Sequence, residues 1–348
     1  MDRQLLFPER SLPLIFEPVE PEEKTLVGLV NWIQTNREEL NDLLVHHGAL
    51  LFRGFPVWTA EEFESVARAL DPDLKNAAYH GTAPRNSLTD YVQSSVELPG
   101  YYPIPQHIEM SYLKNKANRL FFWSMLPARN GGETPVTDFR QVYRDLPAEV
   151  REAFETRNIK IIRNYSGPGK KGRFDLLQFK GWDEIFHTTE KDEVERQCAL
   201  SGTTPVWKKG NSLCLINDQS AVRSHPDTGE PVWHNHSQAF HISTAVAEYR
   251  RLIKYTKKPA LLFYMLLAGA MNFIQGMRKS RDDLALHCQF QDGSEIPDSY
   301  MEAVRDAIWK NTVIFPWQKG DVLAIDNHST AHGRMPFRGP RKTALCYA

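Results

Sequence analysis

Two short histidine-bearing segments place the strongest constraint on how this chain can fold. The first is His107-Ile-Glu109, and the second, far along the chain, carries His332 within Asp326-Asn-His-Ser-Thr-Ala-His-Gly-Arg334. If the first segment is a β-strand, the side chains of His107 and Glu109 leave the same face and can bind one metal ion. A third ligand from His332 would place two imidazoles and one carboxylate on one side of the ion and leave its other positions open. A fold that allows this must bring two distant segments together.

The pattern of a histidine two residues before an acid does not decide the matter alone, because it occurs twice. The other copy is His225-Pro-Asp227, followed by Thr-Gly-Glu-Pro. This composition is typical of a turn between strands, so its side chains are not expected to share a face. His328, four residues before His332, is an alternative for the distal ligand.

Composition places the chain among ordinary globular proteins. Its 348 residues, 41% hydrophobic and 24% charged, are enough for one large core or for two domains. The formal net charge of −1 provides no basic surface for nucleic acid, so no nucleic-acid partner is predicted. The cysteines form no CxxC pair and no zinc spacing, which favours free thiols in a reducing compartment; they are Cys198, Cys214, Cys288 and Cys346.

No apolar segment predicts a membrane protein. The first ten residues lack the apolar core of a signal peptide. The apolar run over residues 260–271 is shorter than the roughly 20 residues that a membrane-spanning helix needs. We therefore predict a cytoplasmic protein with no membrane partner, and we expect this run to form a buried helix or the wall of a substrate cavity.

Short apolar runs separated by turns predict many strands, with helices grouped around them. Strands are expected at 12–19, 49–55, 120–123, 159–165 and 312–315, and helices over 24–47, 59–70 and 245–278. The polar stretches 71–95 and 166–172 are expected to be loops. This order favours an α+β, mainly β fold, with a jelly-roll (double-stranded β-helix) core decorated by helices. We predict a single domain over residues 1–348 with a helical insertion at roughly 245–278. A parallel α/β sheet is the weaker alternative, because helices and strands do not alternate regularly.

Six segments occur in an order that resembles a known family. They are His107-Ile-Glu-Met-Ser, Gly131-Gly-Glu-Thr-Pro, Arg163-Asn-Tyr, His225-Pro-Asp-Thr-Gly-Glu-Pro-Val-Trp, Phe315-Pro-Trp-Gln-Lys-Gly-Asp-Val and the segment from Asp326 to Arg341. Over roughly residues 25–346 the chain resembles the TauD/TfdA family of Fe(II)- and 2-oxoglutarate-dependent dioxygenases. Within that family it is most similar to the branch of the syringomycin-pathway hydroxylase and related amino-acid-modifying enzymes.

The resemblance implies a double-stranded β-helix with His107, Glu109 and His332 as iron ligands. The carboxylate is Glu109 where much of the wider family has Asp, which moves the oxygen by one methylene unless the backbone compensates. Halogenases of this fold lack the carboxylate, so the presence of Glu109 argues against that activity.

The resemblance also implies that Thr134 and Arg341 bind 2-oxoglutarate. A guanidinium can hold a carboxylate with two hydrogen bonds, and a hydroxyl adds a directed one. Arg341 follows His332 by slightly fewer residues than in the taurine enzyme, so a role shared with Arg334 stays open. The alternatives are a solvated charge at a strand end for Arg341 and a hydroxyl bonded within its own turn for Thr134.

The function that this resemblance implies is oxidation of an unactivated C–H bond with Fe(II), 2-oxoglutarate and O2, releasing succinate and CO2. The expected substrate is an amino acid or an amino-acid-derived small molecule of specialised metabolism, either free or tethered to a carrier protein. Hydroxylation, oxidative cyclisation such as aziridine formation, and desaturation stay open, and the oligomeric state is not predicted. The candidate substrate-binding residues are Arg163, Arg223, Arg334, Tyr112, Trp233 and Phe240.

Two other classes of function remain possible from the sequence. His234, His236 and His241 could bind zinc with an open fourth position, which would indicate a hydrolase. The chain could also be a catalytically inactive binding protein on the same scaffold, although no ligand or cosubstrate motif is missing.

Overall fold

The computed structural model describes residues 1–76, 85–95, 98–169, 181–278 and 280–348. Within these ranges the strands are β1 (Asp2–Leu5), β2 (Leu14–Glu17), β3 (Ala49–Phe52), β4 (Gln93–Ser94), β5 (Ile104–His107), β6 (Arg119–Leu126), β7 (Asn130–Gly131), β8 (Val136–Asp138), β9 (Ile159–Tyr165), β10 (Thr204–Lys208), β11 (Ser212–Gln219), β12 (Val222–Ser224), β13 (Pro231–Trp233), β14 (Leu286–Phe290), β15 (Thr312–Val313), β16 (Val322–Asp326), β17 (Thr330–Arg334), β18 (Phe337–Arg338) and β19 (Lys342–Tyr347). The loops expected over 71–95 and 166–172 lie partly outside the described residues.

The helices pack around these strands. They are α1 (Leu26–Thr35), α2 (Arg37–His47), α3 (Ala60–Leu70), α4 (Phe139–Asp145), α5 (Ala148–Arg157), α6 (Trp182–Phe186), α7 (Lys191–Ser201), α8 (Ser237–Phe240), α9 (Thr244–Thr256), α10 (Leu261–Arg278) and α11 (Asp298–Asn311). The fold is therefore a mixed α and β architecture with several sheets.

A large and a small sheet face each other in the middle of the molecule. The large sheet has the strand order β1-β2-β3-β16-β6-β19-β4, and the small sheet has the order β15-β8-β17-β5. An apolar cluster joins them, with Leu51, Phe122 and Leu323 from the large sheet and Val136 and Val313 from the small one. Three further sheets have the orders β10-β11-β9-β14, β12-β13 and β18-β7.

The central strands of the large sheet are apolar on both faces, because each face packs against a different layer. In β3, Ala49 and Leu51 belong to the cluster shared with the small sheet. Leu50 and Phe52 point the other way, into a cluster with α1, α2 and α3. The same alternation in β6, β16 and β19 explains why these strands are continuous apolar runs in the sequence.

The expected helix over 24–47 is two helices rather than one. Asn36, with φ −106° and ψ 19°, ends α1 and begins α2. Gly48 then ends α2 in the left-handed conformation with φ 79°, and a capping box of Thr59 and Glu62 begins α3, close to the predicted helix bounds of 47 and 59. Strand β1 was not predicted, because its mostly exposed side chains show no apolar alternation.

The expected helical stretch over 245–278 consists of α9 and α10, but the prediction that residues 260–271 form a buried helix or a cavity wall was wrong. One side of α10 packs on α9 and on the Tyr101 ring, which stacks against Tyr264 at 4.8 Å. The opposite side exposes large apolar side chains, including Phe263 and Phe273 at 66% and 68% exposure. One packed face holds α10 in place, and no other element in the described ranges covers its outer face.

Membrane crossing requires a helix that is both long and apolar, and none of the described helices meets both conditions.

Candidate active site

Neighbouring strands of the small sheet bring the two distant histidines together. His107 is the last residue of β5, and the antiparallel register places it directly opposite His332 in β17. Their ring centroids are 4.5 Å apart, as expected for paired residues of adjacent strands. Glu109 Oε2 lies 3.4 Å from His107 Nε2 and 3.5 Å from His332 Nε2. Of the described residues, only these three form a group whose ligand atoms, all within 4.8 Å of one another, could hold a metal ion.

Glu109 reaches this group from a turn, and not from a strand as the sequence predicted. Strand β5 ends at His107, and Met110 has a positive φ of 50°, so the chain turns at this point. The side chain of Asn327 fixes the turn: its Oδ1 accepts from the Glu109 backbone N–H at 2.9 Å, and its Nδ2 donates to the Glu109 carbonyl at 3.1 Å. The side chains of His107 and Glu109 therefore converge because Asn327 holds the turn at Glu109, and not because both residues lie on one face of a strand.

The charge states of His332 and Glu109 and the tautomer of His107 suit a metal ion. Burial, assisted by the nearby His107, lowers the pKa of His332 to about 4, so the imidazole is neutral and has a free lone pair. Burial acts to raise the pKa of Glu109, but the charge of Arg85 and the two facing histidines outweigh it and hold the pKa well below its usual value. His107 Nδ1 is 2.9 Å from the Pro105 carbonyl, a contact that fixes the tautomer with its lone pair on Nε2. The donor set therefore fits a divalent metal such as iron(II).

Arg341 and Thr134 lie side by side in the same cavity, whose volume is about 150 Å³. Arg341 Nη2 is 3.3 Å from Thr134 Oγ1, and Arg341 also donates to the Gly132 carbonyl at 2.7 Å and to Thr343 at 2.9 Å. Gly132 has φ 76°, and a Cβ there would stand 2.9 Å from the Arg341 side chain. Burial, together with the charge of Arg334, lowers the pKa of Arg341 to about 9. A carboxylate bound at Arg341 would offset this cost of burying a charge.

Arg334 also lines the cavity, but backbone carbonyls occupy its guanidinium. It donates to Leu98 at 3.0 Å and to Pro99 and Tyr102 at 2.9 Å each. This arginine therefore shapes the wall of the cavity by holding the 98–102 loop. Arg334 could bind 2-oxoglutarate together with Arg341 only if some of these hydrogen bonds were broken.

The other candidate substrate-binding residues divide into two groups. Tyr112 and Phe240 line the cavity, whereas Arg163, Arg223 and Trp233 do not belong to its lining. Arg163 is buried behind Tyr112, with its guanidinium 4.2 Å from the centre of that ring and bonded to Asn217 at 2.8 Å. Its place is a packing site, so the prediction that it contacts the substrate is not supported.

Trp233 and Arg223 lie away from the cavity for separate reasons. Trp233 is fully buried against Phe154, with ring centroids 4.7 Å apart, and its indole N–H donates to Gln238. Arg223 belongs to the β12-β13 hairpin, where burial lowers its pKa. Trp233 belongs to the apolar cluster that packs against the cavity-lining Tyr112 and Phe240.

The three histidines of the alternative zinc site do not converge. His236 lines the cavity and its Nδ1 is 2.7 Å from Ser111 Oγ, whereas His241 Nδ1 is 2.8 Å from Ser243 Oγ. His234 is buried with neither ring nitrogen bonded to any described group. Since the described residues contain no second metal-binding group, the structure does not support a zinc hydrolase at these positions.

His328 points away from the metal-binding group. It lies in the turn between β16 and β17, where its Nδ1 is 3.2 Å from Lys116 Nζ and its ring is 5.6 Å from that of His225. Of the two histidines in this segment, His332 is the one that faces His107.

Sequence reasoning missed Arg85 as a site residue. Its Nη2 lies 3.2 Å from Glu109 Oε1, both side chains are about 95% buried, and it lines the cavity. No motif distinguishes this arginine from the others in the chain, because its pairing with Glu109 depends on a contact between separate segments. Only a signal for long-range contact could have found it.

Comparisons with known proteins define the class. The model of the taurine catabolism dioxygenase TauD, TfdA family matches residues 12–347, so the chain belongs to that family. The protein is an iron(II)- and 2-oxoglutarate-dependent dioxygenase, with O2 as its other cosubstrate.

Two curated relatives and one solved structure show the range of similar proteins. The dapdiamide synthesis protein DdaC of Enterobacter agglomerans is 30% identical over 302 residues, covering 87% of this chain and 82% of the relative. A clavaminate synthase-like protein of Arabidopsis thaliana is 28% identical over 320 residues, covering 90% and 86%. The PvcB protein of Pseudomonas aeruginosa shares the fold with a TM-score of 0.52 at 14% identity, covering 97% of this chain and 86% of its own.

Proposed function

We propose that this dioxygenase oxidises an unactivated C–H bond of an amino acid or an amino-acid-derived small molecule, at an iron ion bound by His107, Glu109 and His332. The observation that carries the proposal is the three-ligand group, in which Glu109 and His332 are buried, in the same cavity as Arg341 and Thr134. The names of two similar proteins support a role in specialised metabolism. One refers to dapdiamide synthesis, and the other describes an Fe, alpha-ketoglutarate dependent oxygenase from an isonitrile synthetic pathway.

An iron ion held by these three residues would supply, together with 2-oxoglutarate and O2, the oxidation of the C–H bond, with 2-oxoglutarate converted to succinate and CO2. The side chains prepare the site for this chemistry. His332 offers a neutral imidazole and Glu109 an ionised carboxylate, and His107 presents Nε2 because its Nδ1 donates to the Pro105 carbonyl. Arg341 and Thr134 bind the distal carboxylate of 2-oxoglutarate and so fix its orientation.

The remaining wall of the cavity decides which C–H bond is presented. Tyr112, Phe122 and Phe240 provide aromatic surface that excludes water around the reacting carbon. We also propose that the two facing sheets are the halves of a double-stranded β-helix, in one domain over residues 1–348 with α9 and α10 as its helical insertion. Support for this comes from the apolar cluster that joins the two sheets.

The test is an anaerobic titration of the metal-free protein with Fe(II) and 2-oxoglutarate. The expected result is the weak visible charge-transfer band of an iron–oxoacid chelate. Glu109→Ala should abolish the band, and Arg341→Ala should raise the 2-oxoglutarate concentration needed for half-maximal absorbance by about 100-fold, since a charged hydrogen-bonding partner is removed. His328→Ala is the matched control and should keep the band, because this histidine faces Lys116. A wild-type protein that gives no band and instead retains zinc would contradict the proposal.

The mass of the product assigns the reaction type. Hydroxylation adds one oxygen atom, whereas cyclisation and desaturation each remove two hydrogen atoms. Succinate release that depends on an added substrate would exclude an inactive binding protein. Matched free and carrier-tethered forms of that substrate would show which one is used.

A further inference from the structure

The outer face of α10 carries a stripe of large apolar side chains on the surface of the molecule, which we call the apolar stripe. Its seven members are 42% to 68% exposed. They are Leu262, Phe263, Leu266, Leu267, Phe273, Ile274 and Met277. Their helical spacing places them on one side of α10, whereas Tyr264 and Met265 pack on the other side against Tyr249 and Leu252 of α9. None of the seven is among the described residues that line the cavity of the metal-binding group.

The area of the apolar stripe matches one side of a stable protein interface. A large apolar side chain has about 200 Å² of surface, so the seven together expose roughly 800 Å². The largest apolar patch on a typical monomer is about 300–600 Å², whereas each partner in an interface of standard size contributes about 800 Å². The stripe is therefore large enough to be one half of an interface between two macromolecules.

The order of residues in the apolar stripe identifies the partner, because it is symmetric about the exposed Ala270. Large apolar residues lie three, four and seven positions before Ala270 and the same numbers after it. The matching pairs are Leu267 with Phe273, Leu266 with Ile274 and Phe263 with Met277. In a two-fold interface, residue i of one copy contacts residue j of the other and j contacts i, so two antiparallel copies of this stripe are complementary.

The small side chain at the centre of the stripe suits a close helix crossing. Two packed helices have axes about 8–10 Å apart, depending on the side chains at the contact. Ala270 allows the short end of this range, and the larger side chains on both sides of it can then pack against those of the other copy. A lipid surface would require neither the symmetry nor the small central residue.

We propose that α10 pairs with α10 of a second copy of this chain, with the two helices antiparallel and the two-fold axis at Ala270. The pair buries about 1,600 Å² in total, which is the size of a standard interface. The inference does not use the iron site, so it and the proposed function can fail independently.

The first experiment measures the mass of the whole protein by light scattering and sedimentation velocity over a range of concentrations. The wild type should have twice the mass of one chain. Leu266→Glu should raise the Kd of the dimer by at least about 100-fold, because the two-fold axis places two carboxylates in the interface. Leu200→Glu is the matched control, since Leu200 lies on α7 and is 65% exposed, against 63% for Leu266. This control should remain dimeric, and far-UV circular dichroism checks that both variants are folded.

A second pair of variants tests the position of the axis. Ala270→Phe should raise the Kd by about 10-fold or more although it adds apolar surface, because the larger side chain separates the crossing helices. Ala270→Cys should form a disulfide-linked dimer on mild oxidation, since residue 270 meets its own copy. Phe263→Cys should not, because its two copies lie about 21 Å apart along antiparallel helices. The cysteines of the wild type are all buried, so they contribute little background.

Several results would overturn the inference. A monomeric wild type would do so, as would a Leu266→Glu protein that dimerises like Leu200→Glu, an Ala270→Phe protein that dimerises more tightly than the wild type, or a Phe263→Cys protein that forms the disulfide as readily as Ala270→Cys.

An anionic lipid surface is the competing occupant of the apolar stripe, because Lys254, Lys257 and Lys258 are exposed beside the N-terminal end of α10. Vesicles of phosphatidylserine and phosphatidylcholine test it. If the wild type is monomeric and sediments with these vesicles at low salt, and Leu266→Glu does not, the stripe binds lipid and the inference is overturned. A dimer that persists at high salt and does not sediment with the vesicles supports the inference, since salt screens exposed charges but does not weaken apolar contacts.

Discussion

Among the described residues, histidines meet a buried carboxylate in two places that are built in opposite ways. At the first, the Nε2 atoms of His107 and His332 converge on Glu109 at 3.4 and 3.5 Å, and His332 Nδ1 has no bonded partner in the described residues. At the second, His225 Nε2 is 2.9 Å from Asp326 Oδ2, and His225 Nδ1 accepts backbone N–H groups of the following turn.

The two groups differ in whether the lone pairs of their histidine and carboxylate atoms already accept hydrogen bonds. In the second group every polar atom of His225 has a partner, and Asp326 also accepts from Ser329 Oγ and from the His328 backbone N–H. Such a satisfied set ties the β12-β13 hairpin to the end of β16 and leaves no electron pair for an ion. In the first group the lone pairs point at one another across a space, an arrangement that a bound cation would stabilise. A histidine near a carboxylate thus indicates a metal site only when the donor atoms converge without bonding among themselves.

The largest expected effect comes from His332→Ala. Loss of one of three ligands should lower substrate-dependent succinate release by on the order of 1,000-fold or more. The free energy of unfolding of the metal-free protein should change much less, because His332 makes no short hydrogen bond there. Calorimetry and a succinate assay on the same sample check both. If His332→Ala lost both activity and fold, His332 would also be needed for stability, which would contradict the difference proposed between this group and the His225–Asp326 group.

His225→Ala should show the reverse pattern. It leaves the buried Asp326 carboxylate without its main partner, so we expect a loss of about 3 kcal/mol in the free energy of unfolding, measured by urea denaturation. Iron and 2-oxoglutarate should still produce the charge-transfer band below the lowered melting temperature. Loss of the band in the folded variant would show that the second group also supports the metal.

Acid should destabilise the wild type partly through Asp326. Burial acts to raise its pKa, but hydrogen bonds from His225, Ser329 and the His328 backbone outweigh it and lower the pKa. A lowered pKa in the folded state contributes stability that is fully present above the ordinary Asp pKa of about 4 and is lost as the pH falls through the folded value. The stability of His225→Ala should therefore decrease less steeply than that of the wild type below about pH 4. Parallel curves would contradict this role for the pair.

The smallest effect is expected for His328→Ala. Burial and the charge of Lys116 lower the pKa of His328 to about 4, so the removed ring is neutral at pH 7. We expect a change of about 1 kcal/mol or less in unfolding free energy and an unchanged Kd for iron(II). A weaker iron affinity would mean that the two groups are coupled through the β16-β17 turn.

Much of the fold could be predicted because its signals are local. The apolar runs of β3 and β6, the left-handed Gly48 and the capping box of Thr59 and Glu62 each follow from a few neighbouring residues. The break at Asn36 could not be predicted, because it interrupts a continuous apolar pattern. Strand β1 could not be predicted either, because its exposed residues show no apolar pattern. The exposed face of α10 also escaped prediction, because an apolar sequence does not reveal how many sides of a helix are covered.

The sequence by itself determined which side-chain types were available for the site and in what order. The spacing and context of His107, Glu109 and His332, and the turn that carries Thr134, were enough to propose these residues for the site and to indicate the family. The tertiary structure alone decided their surroundings. Glu109 lies in a turn held by Asn327, and Arg163 is buried behind Tyr112. Arg85 forms an ion pair with Glu109. The physical reason is that burial and ion pairing depend on contacts between residues far apart in the chain, and no local pattern records those contacts.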